Sequence, residues 1–405
     1  MAGSLSAKGI CLAYTLPGAG RAYVFGQQLL SLQPTSAFLS QRRIHIAFVA
    51  PSPRGVSPGQ RFRFEMYLPA AAEAGFEYRE YSFYTQADRR VLYAPGHTLR
   101  KVWIMLKGFG RRLAQLPAIV RADVVYVYLE MAPLGPPVFE WLVSRLFRKP
   151  LVYDFDDAIW LETVSDYNRH FKWIKWQRKV PVICRWATVV TVGNQYLAQY
   201  ANQHNEHVAL IPTVVDTEHY HNRLVDQQQT PLRIGWTGTF STLPYLEVVV
   251  PVLQSIQEKY GIELVVIADK APNLPLPYLR YVPWNKASEI EDLLSFQIGI
   301  MPLDDGPVAQ GKCGFKAIQY MSLGMATIAS PVGVNSSLLA DDRHGLLVST
   351  TAEWMAALEL LITNDALRQQ MGIAARQHIV DHFSAQSQTL PFYNAIRQAL
   401  SLSKN

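Results

Sequence analysis

Three Asp lie within four positions in LVYDFDDAIW, residues 151–160, directly after a short apolar run. Asp154, Asp156 and Asp157 fit two chemistries. Carboxylate oxygens suit a divalent cation such as Mg²⁺ or Mn²⁺. They also suit a metal-free cleft in which a carboxylate holds a reacting hydroxyl. Ionised carboxylates this close repel one another unless something compensates them, and one of the three is expected to cap the helix that follows. Glu130 follows another apolar run, VVYVYL at 124–129, and should point the same way. It could assist deprotonation of an acceptor, or be a cap or surface charge.

A second constellation is GKCGFKAIQYMSLG, 311–324, which follows the strand-like IGIMPL and the loop DDGPVAQ. Its spacing predicts a helix ending at Gly324, with Lys312, Lys316 and Gln319 at i, i+4 and i+7 on one face. Phe315, Ile318 and Ser322 fall on the neighbouring face, toward a sheet. Lysines oppose the dipole at a helix N-terminus, so a pair there makes sense with an anion between them. Free N–H groups and two ammonium groups would cradle a diphosphate. Gln319, one turn deeper, offers the donor and acceptor that a sugar hydroxyl requires. The competing reading is two ordinary solvated lysines.

These residues need strands and helices to position them. Ile44–Ala50 (IHIAFVA) reads as a buried strand, then comes the loop PSPRGVSPGQ and a helix from about Arg61 to near Gly75. Apolar runs follow at 124–129, 150–156, 188–192 and 208–212. The alternation restarts at 233–238, 263–268, 279–284, 298–303 and 326–332. Near-continuous apolar strands between helical stretches indicate parallel sheets covered on both faces. We therefore expect an α/β protein of two Rossmann-like, doubly wound domains facing a central cleft. The expected boundaries are a disordered tail at 1–41, a first domain at 42–220, a polar linker at 221–231 and a second domain at 232–385. Residues 386–405 are expected to form a C-terminal helix. Ligands in such sheets sit beyond the carboxyl ends of the strands.

The whole-chain numbers agree with this. At 405 residues, 49% hydrophobic and 17% charged, the chain is long enough for two buried cores. Its net charge of +6 is spread along the chain and accompanies no nucleic-acid motif, so no nucleic-acid partner is expected. The three Cys are far apart and match no metal spacing, which suits a reducing cytoplasm. His204, His207, His219 and His221 show no clean zinc spacing. No apolar run reaches membrane-spanning length. RKVWIMLKGFGRRL at 100–113 and NRHFKWIKWQRKVPVICRW at 168–186 interleave cations with Trp, Phe and Ile. Such stretches suit peripheral contact with an anionic membrane, on its inner face, or a packed helix with a basic rim.

Several motifs together resemble glycosyltransferase family 4, over about residues 42–400. They are IGWTGT at 234–239, PLDDGPVAQGKCGFKAIQYMSLGMATIASPVGVN at 302–335, HGLLV at 344–348 and IPTVVDTEHY at 211–220. The resemblance implies a GT-B fold, with the nucleotide sugar held mainly by the second domain and the last helix crossing back to the first. It implies donor contacts at Gly238 and Thr239, at Gly333, Val334 and Asn335, and at Lys312, Lys316 and Gln319. The family often has two Glu seven residues apart here; the second falls on Gln319 and the first on Gly311. Many members also carry an Arg and a Lys after the first Gly-rich strand of this domain, where this chain has TGTFSTLPYL. Asp304 and Asp305 become candidates for donor hydroxyls, and Trp284 for packing near the base or in the core. The resemblance places the PSPRGVSPGQ loop over the diphosphate, with Arg61 and Arg63 as phosphate ligands. It also puts Asp156 and Asp157 at a His-Asp pair facing the cleft, a metal-free arrangement, and a branch of the family reads DFDDA there.

The function these features imply is a retaining, metal-independent glycosyltransferase with no cofactor. Its donor would be a UDP or GDP sugar and its acceptor a glycan or lipid-linked glycan, as in surface polysaccharide synthesis. A non-catalytic nucleotide-sugar-binding partner is the alternative raised by Gly311 and Gln319, and a nucleotide-sugar epimerase of the same fold is another.

Overall fold

The computed structural model describes residues 43–94, 96–161 and 176–403. The expected tail at 1–41 and most of the aromatic half of the 168–186 stretch lie outside them. Six strands make the first sheet: β1 (Ile44–Ala50), β2 (Phe76–Ser82), β3 (Val124–Tyr128), β4 (Leu151–Phe155), β5 (Val189–Val192) and β6 (Val208–Leu210). Their order is β2-β1-β3-β4-β5-β6, and every pairing is parallel. The second sheet holds β7 (Arg233–Gly238), β8 (Glu263–Ala268), β9 (Leu279–Pro283), β10 (Ile298–Met301), β11 (Ala326–Ala329) and β12 (Leu346–Leu347). Its order is β12-β11-β10-β7-β8-β9, again all parallel.

This is two doubly wound units in succession, as the alternation of apolar runs implies. The winding reverses between β1 and β3 in the first sheet and between β7 and β10 in the second. At such a switch point the loops diverge and leave a crevice beyond the strand ends. The central strands are buried on both faces, which is why they read as unbroken apolar runs. β2 lies at a sheet edge, and its sequence FEYREYS alternates with mixed burial. It has no apolar run to announce it.

Six helices matter for the site: α1 (Pro58–Arg63), α2 (Thr98–Arg121), α3 (Glu289–Leu293), α4 (Phe315–Ser322), α5 (Asp365–His382) and α6 (Ala385–Leu402). α1 starts earlier than its sequence suggests, because Pro58 at the first position is pre-set for helix and needs no N–H partner. It then gives way to a 3₁₀ turn at Glu65–Ala70, which contains Pro69. α6 returns to the first sheet: the Tyr393 hydroxyl donates to the Tyr67 carbonyl at 2.8 Å, and Phe392 stacks on Tyr67 at 4.1 Å.

α4 corrects the sequence reading. Gly314 has φ +68°, the left-handed region, and serves as the N-cap. The helix therefore begins at Phe315, so Lys312 precedes it and does not share its face with Lys316 and Gln319. The polar 221–231 segment packs on the second domain. His221 is fully buried, and Arg368 donates to the Gln227 carbonyl at 3.2 Å.

Candidate functional site

The three Asp after β4 go three separate ways. Asp154 is buried within the sheet and takes a forked ion pair from Arg63, with Nε at 3.2 Å and Nη2 also in contact. Thr191 on the neighbouring strand donates to it at 2.7 Å. Arg63 spends its remaining nitrogen on the Ile211 carbonyl. Burial opposes the Arg63 charge, but Asp154 more than offsets that and raises its pKa. Removing one member of such a buried pair typically costs about 3–5 kcal/mol. Arg63 is therefore a brace between α1, β4 and the strand end at Ile211. This corrects its assignment as a phosphate ligand.

Asp156 and Asp157 lie past the strand end, where the crevice opens. The Tyr128 hydroxyl, at the end of β3, donates to Asp156 Oδ1 at 3.0 Å. α1 comes in beside them: a Cβ on Gly59 would fall 2.4 Å from the Tyr128 hydroxyl and 3.1 Å from Asp156 Oδ2. Burial, only partly opposed by Arg63, pushes the Asp156 carboxyl up to about 6. Asp157 accepts from the Ala158 amide at 2.9 Å and from Lys312 Nζ at 2.7 Å. That ion pair joins the two halves of the molecule. Among the described residues no three metal-type side chains come together, so the three Asp form no cage.

The segment around Lys312 is fastened to the first domain at more points. Asn194 Nδ2 donates to the carbonyls of Gln310 at 3.1 Å and Lys312 at 3.0 Å. The Cys313 thiol lies 3.1 Å from the Asp156 carbonyl. Gly311 sits so close that a Cβ there would fall 2.7 Å from Ala158 Cβ and 2.9 Å from its amide nitrogen. Where the resembled family often has Glu, this chain has backbone packed on backbone.

Lys316 is different from Lys312. Its ammonium lies 5.1 Å from the Trp236 ring, and among the described residues no carboxylate pairs with it. Burial first, then repulsion from Lys312, pushes it down to about 7. α4 has no side-chain cap at its N-terminus. Gln319 is nearly fully buried, and its Nε2 has no hydrogen-bond partner among the described residues. Tyr245 belongs to the same neighbourhood. Burial raises its hydroxyl pKa, Lys312 opposes this, and Asp304 and Asp157 add to it.

Other expected site residues are placed less simply. Glu130 is held by Lys179 Nζ at 2.6 Å, so it is not the open base the sequence suggests. It follows Leu129, whose φ of +60° is strained for a branched side chain, in a tight turn closed by Glu130 N–H to the Tyr128 carbonyl at 2.7 Å. Arg61 reaches across to Glu289 on α3 in a buried ion pair and is not an open phosphate ligand either. Trp284 donates to the same carboxylate at 3.2 Å, and Tyr220 at 2.7 Å. The Thr239 amide donates to Thr242 Oγ1 at 3.1 Å, directly after Gly238 at the end of β7. Asp304 is exposed and closes a turn onto the Gly306 amide at 3.0 Å, while Asp305 is held by Gln310. The Gly333 amide donates to Gln310 Oε1 at 3.1 Å, Val334 precedes the short helix Asn335–Leu338, and Asn335 is buried with Nδ2 on the Ser330 carbonyl at 3.1 Å. Sequence reasoning missed Tyr128, Asn194, Tyr245 and Glu289. A strand-end Tyr, an N-cap Asn and a helix-start Glu carry no chemical signature until folding gives them neighbours.

No family model and no curated protein matches the chain. Solved structures do match, over most of its length. Sucrose-phosphate synthase from Thermosynechococcus elongatus aligns with a TM-score of 0.63 at 14% identity, covering 89% of this chain and 100% of that one. HepE from Anabaena, solved in complex with UDP-glucose, gives 0.62 at 14% identity, covering 87% and 99%. WaaG, described as a glycosyltransferase involved in lipopolysaccharide biosynthesis, gives 0.59 at 13% identity, covering 86% and 98%. The fold is GT-B. In this GT-B molecule, Tyr128, Asp156 and Asp157 from the first sheet and Lys312 and Lys316 from the second gather beyond strand carboxyl ends, joined by the Asp157–Lys312 bridge.

Proposed function

We propose that the chain is a glycosyltransferase. It takes a sugar from a UDP or GDP donor and joins it to a hydroxyl of a glycan or lipid-linked acceptor, with retention and without metal, in the assembly of a surface polysaccharide. One observation carries this reading: Lys316, a largely buried ammonium at the uncapped start of α4, has an indole beside it and no carboxylate partner among the described residues. A diphosphate supplies a negative partner. The bond from the sugar's anomeric carbon to the diphosphate breaks with its electron pair on the phosphate oxygen. Lys316 and the α4 N–H groups stabilise that charge. The acceptor oxygen forms the new bond to the anomeric carbon as its O–H bond breaks, and Asp156 takes that proton.

HepE, solved with UDP-glucose and with UDP and glucose, and WaaG, named for lipopolysaccharide biosynthesis, support this direction for a shared fold. Peripheral contact with the inner face of an anionic membrane belongs to the proposal, because α2 turns an apolar stripe outward beside basic residues. A non-catalytic nucleotide-sugar binder is the second reading. It is favoured by Gly311, whose packing on Ala158 leaves no space for a Glu.

The deciding experiment is thermal stabilisation by UDP, GDP, ADP and CMP, each with Mg²⁺ or Mn²⁺ and with EDTA. A ligand that binds only the folded state raises Tm by mass action. One nucleoside diphosphate is expected to raise Tm equally in EDTA, and Lys316→Ala to abolish the shift. A shift that requires metal sinks the metal-free mechanism, and no shift with any nucleotide sinks the donor reading. Release of nucleotide from the sugar donor only when acceptor is added favours the transferase over the binder.

A further inference from the structure

The last three residues of α1 leave it in different directions. Arg63 turns into the first sheet and holds Asp154, while Arg61 reaches Glu289 on α3 of the second domain. Between them Phe62 is fully buried. The apolar cluster in which it lies is built largely from the second domain, with Met301, Leu303, Ala317, Ile318 and Leu338. A first-domain side chain is thus lodged in a second-domain core.

The Phe62 ring meets the ring of Phe315, with centroids 4.1 Å apart and planes tilted by 40°. Phe315 is the first residue of α4 and immediately precedes Lys316. Phe62 is itself held from several sides. The Arg61 guanidinium lies 4.2 Å from its ring, the His221 ring lies 6.0 Å away, and the Val214 amide donates to its carbonyl at 3.2 Å.

α4 has need of such a contact. It starts after a left-handed Gly and has no side-chain cap, so its own sequence fixes its first turn weakly. Side chains on a helix lean back toward its N-terminus, so the seat of that turn decides where the Lys316 ammonium and the free N–H groups lie. At the other end of α1, Gly59 abuts the Tyr128 hydroxyl and Asp156. About one helical turn separates that contact from Phe62. We propose that Phe62 is a positioning residue: lodged in the second domain, it fixes the first turn of α4 and so holds Lys316 where the donor diphosphate binds. The proposal rests on the donor role of Lys316 and names what keeps that residue in place.

The test is calorimetry of UDP and of GDP binding to the full chain between pH ~6.5 and ~10, the range that spans a lysine held low by burial and one that is free. Wild type is compared with Phe62→Leu and with Ile379→Ala, a substitution on α5 in the same cluster. Phe62→Leu keeps an apolar side chain but removes the ring that meets Phe315. It should weaken nucleotide binding about tenfold, since a displacement of about 1 Å is enough to do so. It should also raise the pH above which affinity falls by about one pH unit, because a loosened first turn lets water reach an ammonium whose charge burial disfavours. Ile379→Ala should lower Tm and leave that pH where it is. If Phe62→Leu does not fold, Phe315→Leu removes the same ring contact from the other side, and the same changes are expected. The inference is overturned if the variant's pH profile matches wild type, or if Ile379→Ala moves it as far. Either result leaves the donor reading standing. If neither nucleotide binds the wild type, the donor reading falls and this inference with it.

Discussion

The donor role proposed for Lys316, an ammonium beside an indole with no carboxylate partner among the described residues, can be tested through its titration. Its folded value of about 7 lies below the 10.5 of a free lysine because burial and then Lys312 disfavour its charge. Between those values the unfolded chain carries a proton that the folded protein lacks, so the ligand-free protein gains stability as pH rises through that window. A bound diphosphate reverses the balance. Calorimetry of UDP binding near pH ~8.5, in buffers of different ionisation enthalpy, should show uptake of about one proton. UDP affinity should fall above pH ~7 by up to roughly tenfold per unit. Lys316→Met should abolish the uptake, and uptake unchanged in that variant would remove Lys316 from the site. At this scale the sequence was partly legible. The residue types around Asp156, Asp157 and Lys316 announced acid, base and phosphate chemistry. Which Asp was structural could not be read, because Asp154's partner Arg63 lies 91 residues away and only the parallel register brings α1 to it.

Elements decide how close the two halves come. The loop before α4 approaches the first domain because Gly311 has no side chain to hold it away. Helical spacing alone put Lys312 inside α4; the left-handed φ at Gly314 starts the helix three residues later and frees Lys312 to reach Asp157. That is the kind of boundary a periodic pattern does not resolve, since a Gly is tolerated inside a helix as well as before one. β2 was invisible for a related reason: an edge strand with one wet face lacks the apolar run that marked its buried neighbours. Gly311→Glu, which would install the side chain the resembled family often carries, should therefore damage the protein. Its Cβ collides with Ala158, and overpacking of this kind costs about 1–3 kcal/mol. The expected outcome is a lowered Tm and weaker UDP binding, with Gly311→Ala intermediate. A Gly311→Glu protein with unchanged Tm and faster sugar transfer would show that the domains open enough to use that position.

For the molecule as a whole, the two domains are joined by Asp157–Lys312, Arg61–Glu289 and Lys286 on Gly55, and α6 packs back on the first sheet. None of this accounts for α2. One face of that helix, with Ile104, Gly108, Arg112 and Leu116, is buried against the first domain. The opposite face carries Leu99, Trp103, Leu106 and Leu113, which are 58–88% exposed. These positions fall at i, i+4, i+7 and i+14, a single stripe. Trp141, Leu146 and Phe147 are exposed on the next segment, which Phe139 links to α2 by stacking on Phe109 at 6.3 Å. Arg100, Lys107, Arg145 and Arg148 are exposed among them. No described helix is long and apolar enough to cross a bilayer. An outward apolar stripe among cations instead suits a helix lying in an anionic lipid surface, where each basic side chain adds about 1 kcal/mol. The protein should sediment with vesicles containing anionic lipid at low salt and be released at high salt. Trp103→Glu with Leu106→Glu should leave it in the supernatant without lowering Tm, since neither side chain contributes to the core. Binding indifferent to lipid charge, or unchanged in the double variant, would assign the stripe to a protein partner.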